Sequence, residues 1–268
     1  MLIDFHVPLY DQPGYGEAIA ETARSMGLDR LCIIGGESCY GLAANAEARR
    51  LADAYPELFS PFAHVSLGDD DARTVERLAR VGFAGIRVSA PPAPYDDPSF
   101  MPVYEAAAAL QMPVLFHTGY LPVTPLDRAR RMRAANMRPV YLDTVARFVP
   151  ELNIVGIGLG SPWCAEAAET LRHNRNVCFD LSGEVLRRRG ADFLAEVLRP
   201  AQATLWHEEV SGSLWEQVVF GSGVHHEEIV AVERDYQRIF RSLGVSREEI
   251  DAVMGLTAAR LLGIPAQD

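Results

Sequence analysis

The sequence predicts an α/β protein built as a (β/α)8 TIM barrel with C-terminal helices. Three observations carry the prediction. Eight short apolar, β-rich runs alternate with helix-period stretches along 268 residues, which is the pattern of parallel strands joined by crossover helices. A barrel of this type takes about 250 residues, so the chain is read as a single domain over residues 1–268. The first strand is followed only by Gly14 and Gly16, not by a GxGxxG phosphate loop, which turns the reading away from an open dinucleotide-binding sheet.

The predicted strands are Met1–His6, Leu31–Gly35, Phe59–Leu67, Ala84–Ser89, Pro113–His117, Asn153–Ile157, Val177–Leu181 and Gln217–Gly221. Runs such as Val114-Leu115-Phe116 are apolar throughout, as strands buried on both faces of a parallel sheet require. The predicted helices are Ala18–Met26, Ala43–Ala54, Asp71–Arg80, Val103–Leu110, Tyr141–Phe148, Ala165–Arg172 and Ala191–Leu198. Gly27 is placed to cap the first of them. Pro113 and Pro150 follow two others as stops. Residues 230–263 read as two or three closing helices, including Leu256–Leu262. The longest non-periodic stretch, Leu121–Arg138, follows the fifth strand and therefore falls at the barrel mouth.

Composition narrows the function classes. A net charge of −11 argues against nucleic acid and anionic membrane. The basic clusters are Arg128–Arg138 and Arg187–Arg189. They read as solvated faces or, for the first, as a mouth segment attracting an anionic substrate. All 25 basic residues are arginine, so Schiff-base, P-loop and carbamylated lysines are excluded. Cys32, Cys39, Cys164 and Cys178 form no CxxC pair. With no apolar leader and no run of 18 apolar residues, a reduced cytoplasmic setting is expected.

Chemistry in such barrels sits at the C-terminal strand ends. His6 and His117 end strands one and five, which face each other across a ring of eight. Two imidazoles aimed into one cavity suit acid/base work or metal binding. Arg87 interrupts the apolar run Gly85-Ile86-Arg87-Val88. A buried arginine needs an anion, either a protein carboxylate or the substrate. Glu37 and Glu184 are candidate acid/base or substrate-binding groups, with His225 and His226 just past strand eight. Asp180 is expected to brace backbone, His64 to be a satisfied core histidine, and His173 to be exposed. His207 stays open. Trp163, Trp206 and Trp215 are candidates for the interface of a homodimer.

The anchors Ile3-Asp4-Phe5-His6, Gly82-Phe83-Ala84-Gly85-Ile86-Arg87, Leu110–Gly119, Phe148–Val155, Asn176–Gly183, Val219-Phe220-Gly221-Ser222 and Ala258–Gly263 occur in order. Together they resemble the amidohydrolase-related family of metal-dependent hydrolases, in the branch that includes aminocarboxymuconate-semialdehyde decarboxylase. The resemblance implies one divalent metal, often zinc. Its ligands would be two His on strand one, a His on strand five and an Asp after strand eight, with a further His after strand six. His6 and His117 match two of these positions. Pro8, Gly158 and Gly223 stand at the other three, and none of them brings a polar side-chain atom.

Three readings follow. One is a hydrolase acting without the usual metal on a small carboxylate, lactone or amide, with His6, His117, His226 and Glu184 catalytic and Arg87, Glu37 and His225 binding substrate. Another is a zinc-type hydrolase or decarboxylase with a rebuilt ligand set around His6 and His117. The last is a non-catalytic homologue serving as a binding or partner subunit.

Overall fold

In the computed structural model, residues 1–183, 185–198 and 213–265 are described. The eight expected strands are β1 (Ile3–Pro8), β2 (Arg30–Ile34), β3 (Phe59–Val65), β4 (Gly85–Val88), β5 (Val114–Phe116), β6 (Ile154–Gly156), β7 (Val177–Asp180) and β8 (Val218–Val219). They pair in parallel in sequence order from β1 to β8. The Phe5 amide donates to Phe220 O at 2.8 Å and the Gly223 amide to His6 O at 2.8 Å, which draws the last strand back to the first. A (β/α)8 barrel results.

Strand alternation divides the apolar residues into two layers. Ile3, Phe5, Cys32, Ile34, Phe62, Leu115, Val155, Cys178 and Val219 fill the interior. Their neighbours Leu31, Ile33, Val65, Ile86, Val114, Ile154 and Phe179 pack outward against the helices. Those helices are α1 (Tyr15–Met26), α2 (Asn45–Ala54), α3 (Ala72–Arg80), α4 (Met101–Ala109), the short α5 (Asp127–Arg130), α6 (Val140–Phe148), α7 (Cys164–His173) and α8 (Gly190–Val197). Gly27 caps α1 in the left-handed region as expected, and Asp71 caps α3 by accepting from the Thr74 amide.

The tail forms α9 (Ile229–Leu243), α10 (Arg247–Asp251) and α11 (Thr257–Leu261), with a π-type turn at Ala252–Leu256. Ala258, Ala259 and Leu261 join the interior cluster, and a Cβ at Gly255 would collide with the Met1 carbonyl. The tail therefore plugs the end of the barrel where the strands begin. The opposite end is left for chemistry.

Gly85 shows how tightly the interior is filled. It pairs in register with Phe62 on β3, and a Cβ there would overlap the Phe62 ring. Gly85→Ala is expected to cost about 1–3 kcal/mol of stability by overpacking. Denaturant unfolding checks this; a midpoint equal to that of the unchanged protein would refute it.

Candidate active site

The strand register shifts by one residue between Asp4 and Val7, which is a β-bulge. In consequence Phe5 enters the interior cluster while the next residue, His6, lines the cavities at the mouth. Arg87 on β4 and His117 just past β5 reach the same place. One cavity of about 460 Å³ is lined by His6, Arg87, His117, Tyr40, Thr124 and Gly223, among others. A second, of about 620 Å³, shares His6, His117 and Gly223 and adds Gly158 and Ser182. The two histidines expected to oppose each other do border one space.

His6 is held from behind. Its Nδ1 lies 2.9 Å from Asp180 Oδ2, and Asp180 is fully buried at the end of β7. The other carboxylate oxygen accepts from the Gly158 amide at 2.6 Å, the Ser182 amide at 3.0 Å and Ser182 Oγ at 2.7 Å. A carboxylate so anchored fixes the proton on Nδ1 and leaves the Nε2 lone pair as a base. The bracing role expected for Asp180 is present, but it is only half of what the side chain does. Sequence reasoning named His6 but did not pair it with Asp180.

Arg87 is buried on β4. No carboxylate pairs with it among the described residues, and its Nη1 has no hydrogen-bond partner. Burial pulls its pKa below the usual value. Burial and the nearby Arg87 guanidinium also push His117 down to about 3, so this imidazole is neutral at neutral pH. Its Nε2 lies 3.3 Å from Tyr120 O.

Below His6, the buried Asp4 accepts from the His6 amide at 3.1 Å and the Ser222 amide at 2.9 Å through Oδ1. Its Oδ2 has no partner, and burial raises its pKa from 3.8 to about 6. The folded state therefore holds the proton more tightly than the unfolded chain. Stability from this group is complete below about pH 3.8 and declines as pH rises through 6. The loss is about 3 kcal/mol at 1.36 kcal/mol per unit. Asp4→Asn should remove this slope, so the variant gains on the parent between pH 4 and pH 7. Parallel urea titrations test it; a constant difference across that range contradicts the assignment.

The remaining candidates fall elsewhere. Glu37 pairs with His64 Nε2 at 3.0 Å and with Arg130 of α5. The nearly buried Glu37 thus ties the Leu121–Arg138 segment to β3. His64 is a partnered core histidine on its Nε2 side, but its Nδ1 is buried without a partner. Neither Glu37 nor His64 lines the two cavities. His225 and His226 also stay outside them, packed against Tyr15 of α1. His173 is exposed, as expected. Trp215 is buried against Phe240 rather than on the surface, and Trp163 stacks on the exposed Tyr120. Glu184, Trp206 and His207 lie outside the described residues.

The mouth can be tested against the metal that the resemblance implies. A catalytic zinc site takes about three protein ligands. A Cβ at Gly223 would lie 3.2 Å from His6 Cε1, and one at Gly158 would lie 3.2 Å from Ser182 O. These positions therefore border the site, yet they carry no donor, and Pro8 lines the cavity without one. Asp180 is committed to two amides, a hydroxyl and His6. Among the described residues, three potential ligand atoms converge only at His225, His226 and Glu227. The donors at the mouth do not fit the implied ligand set.

The amidohydrolase family profile matches residues 37–264. No curated protein matches the chain. Solved structures do. An uncharacterized TIM-barrel protein from Bordetella bronchiseptica is 18% identical with a TM-score of 0.72, covering 98% of each chain. A probable 2-pyrone-4,6-dicarboxylic acid hydrolase from Acinetobacter baumannii, with citric acid bound, is 13% identical with a TM-score of 0.64, covering 98% of this chain and 99% of that one. A dihydroxybenzoic acid decarboxylase from a Polaromonas species, with manganese and 2-nitroresorcinol bound, is 15% identical with a TM-score of 0.66, covering 98% and 96%. At these identities the likeness shows the fold.

Proposed function

We propose, from the premise that the chain belongs to the amidohydrolase family, that it hydrolyses a small carboxylate-bearing lactone, ester or amide by histidine general-base catalysis without the family's usual metal site. The observation that carries this reading is the buried Asp180–His6 pair opening on the mouth. The substrate carboxylate docks on Arg87, whose Nη1 otherwise lacks a partner. His6 Nε2 takes a proton from water as the oxygen attacks the carbonyl carbon. Asp180 stabilises the imidazolium that forms. The proton then passes to the departing oxygen or nitrogen. The neutral His117 stands on the same cavity as a hydrogen-bonding partner.

Carboxylic acids in the names of two structural neighbours support the substrate class. The exposed Tyr120 and Val123 at the mouth suit a homo-oligomer. A second reading, metal-dependent decarboxylation with a rebuilt ligand set, draws on the neighbour with bound manganese. One experiment separates the two. A panel of small carboxylated lactones, esters and amides is assayed by pH-stat with and without chelator, and bound metal is quantified by mass spectrometry. Turnover that persists in chelator and disappears in His6→Gln is expected. Turnover that requires added manganese or zinc favours the second reading and overturns the first.

A further inference from the structure

His225 and His226 are left over once the mouth has been assigned. We propose that they form, with Glu227, a binding site for a zinc-type divalent cation on the β8–α9 turn, separate from the His6 mouth. One ligand atom from each of the three residues lies within 4.8 Å of the others. The backbone explains the convergence. His225 is extended, at φ −62° and ψ 147°, and caps a 3-10 turn that begins at His226. Two consecutive side chains thereby fall on one side, with ring centroids 4.5 Å apart.

The hydrogen bonds pre-set the donor atoms. His226 Nδ1 lies 3.1 Å from Thr22 Oγ1 on α1, which leaves Nε2 for another partner. His225 Nε2 lies 3.4 Å from Gln12 Oε1. An amide oxygen only accepts, so the proton sits on Nε2 and the lone pair on Nδ1. That Nδ1 lies 3.6 Å from Glu227 Oε2. Two atoms without protons face each other there. Two ligands held at about 2.0–2.1 Å from a tetrahedral zinc ion lie roughly 3.3 Å apart, so the 3.6 Å His225–Glu227 pair needs only a small closure, and the His226 donor, within 4.8 Å of both, closes on them by side-chain rotation. Borderline nitrogen donors plus one carboxylate favour zinc or cobalt over calcium or magnesium. Thr22 and Gln12 then serve as the outer partners that orient ligating histidines. His225 and His226 are half-buried and Glu227 is exposed, so water completes the shell.

Cobalt chloride and zinc chloride are titrated into the metal-stripped full chain, followed by calorimetry and by visible absorption for cobalt. Three proteins are compared: the parent, His225→Ala/His226→Ala and His6→Ala/His117→Ala. One equivalent bound with micromolar affinity is expected in the parent and in the mouth variant. A loss of at least 100-fold is expected in the turn variant. Glu227→Gln, at an exposed position, should weaken binding about tenfold with no effect on folding. No binding by the parent, or binding lost with His6 and His117 instead, overturns the proposal.

Discussion

Asp180→Asn is expected to lower turnover of the carboxylate substrate by about 10⁴, the size of the effect when the orienting aspartate of a histidine base becomes asparagine. The geometry specifies why. Oδ1 faces two amides and a hydroxyl, and those donors require an oxygen at that position in the variant. The asparagine nitrogen must then face His6 Nδ1, where Asp180 Oδ2 stands at 2.9 Å. A donor there forces the proton of His6 onto Nε2. The ring stays in place, but its lone pair points away from the cavity. KM should change little, because Arg87 is untouched. Two measurements check the argument. Nitrogen chemical shifts of His6 should report a tautomer switch, and kcat should fall without a comparable rise in KM. An unchanged tautomer with reduced kcat would show that Asp180 acts through packing instead.

The same pair shows where sequence reasoning reaches and where it stops. The eight strands are legible because each is a short run buried on both faces, and burial of that kind leaves an unbroken apolar signature. Element edges are less legible. Proline reads as a stop, yet β1 runs on through Pro8, which pairs with Ile34. The first helix is expected from Ala18, yet α1 starts at Tyr15 and includes Gly16. Gly16 is required there because Leu51 of α2 fills the space a Cβ would take. His6, Arg87 and His117 are legible at the mouth, since a polar side chain within or ending an apolar strand costs free energy unless a partner or water meets it. The Asp180 contact is not, because 174 residues separate the partners. It depends on a bulge in β1 and on the closing of β8 against β1, and neither leaves a local pattern. The Glu37–Arg130 pair is hidden for the same reason. His225 and His226 are close in sequence to Gly223 but turn towards α1, so proximity along the chain misplaces them.

Arg87→Met is expected to do two opposite things at once. It should weaken carboxylate binding about 10²-fold or more while leaving the fold as stable as before, or more so. Arg87 is buried, its Nη1 has no partner, and no carboxylate pairs with it among the described residues. A guanidinium in that state costs free energy when the cavity holds no anion. Methionine follows the same aliphatic path through the strand layer without the charge, so removing one orphaned donor returns about 1–3 kcal/mol. Binding changes in the other direction. A buried charge pair contributes about 2–5 kcal/mol when one partner is truncated, so KM should rise by about 10² or more. Ligand-induced stabilisation separates the two effects. A small carboxylate at 100 times the parent's Kd should stabilise the parent by about 2.7 kcal/mol and the variant by no more than about 0.4 kcal/mol. The titration of His117 supplies an internal control. After burial, Arg87 is the largest cause holding that imidazole down to about 3, so its pKa should move up in the variant while burial keeps it below 6.5. If Arg87→Met instead lowers stability by several kcal/mol and leaves carboxylate binding intact, the arginine is structural, and the anion site must be sought elsewhere on the mouth.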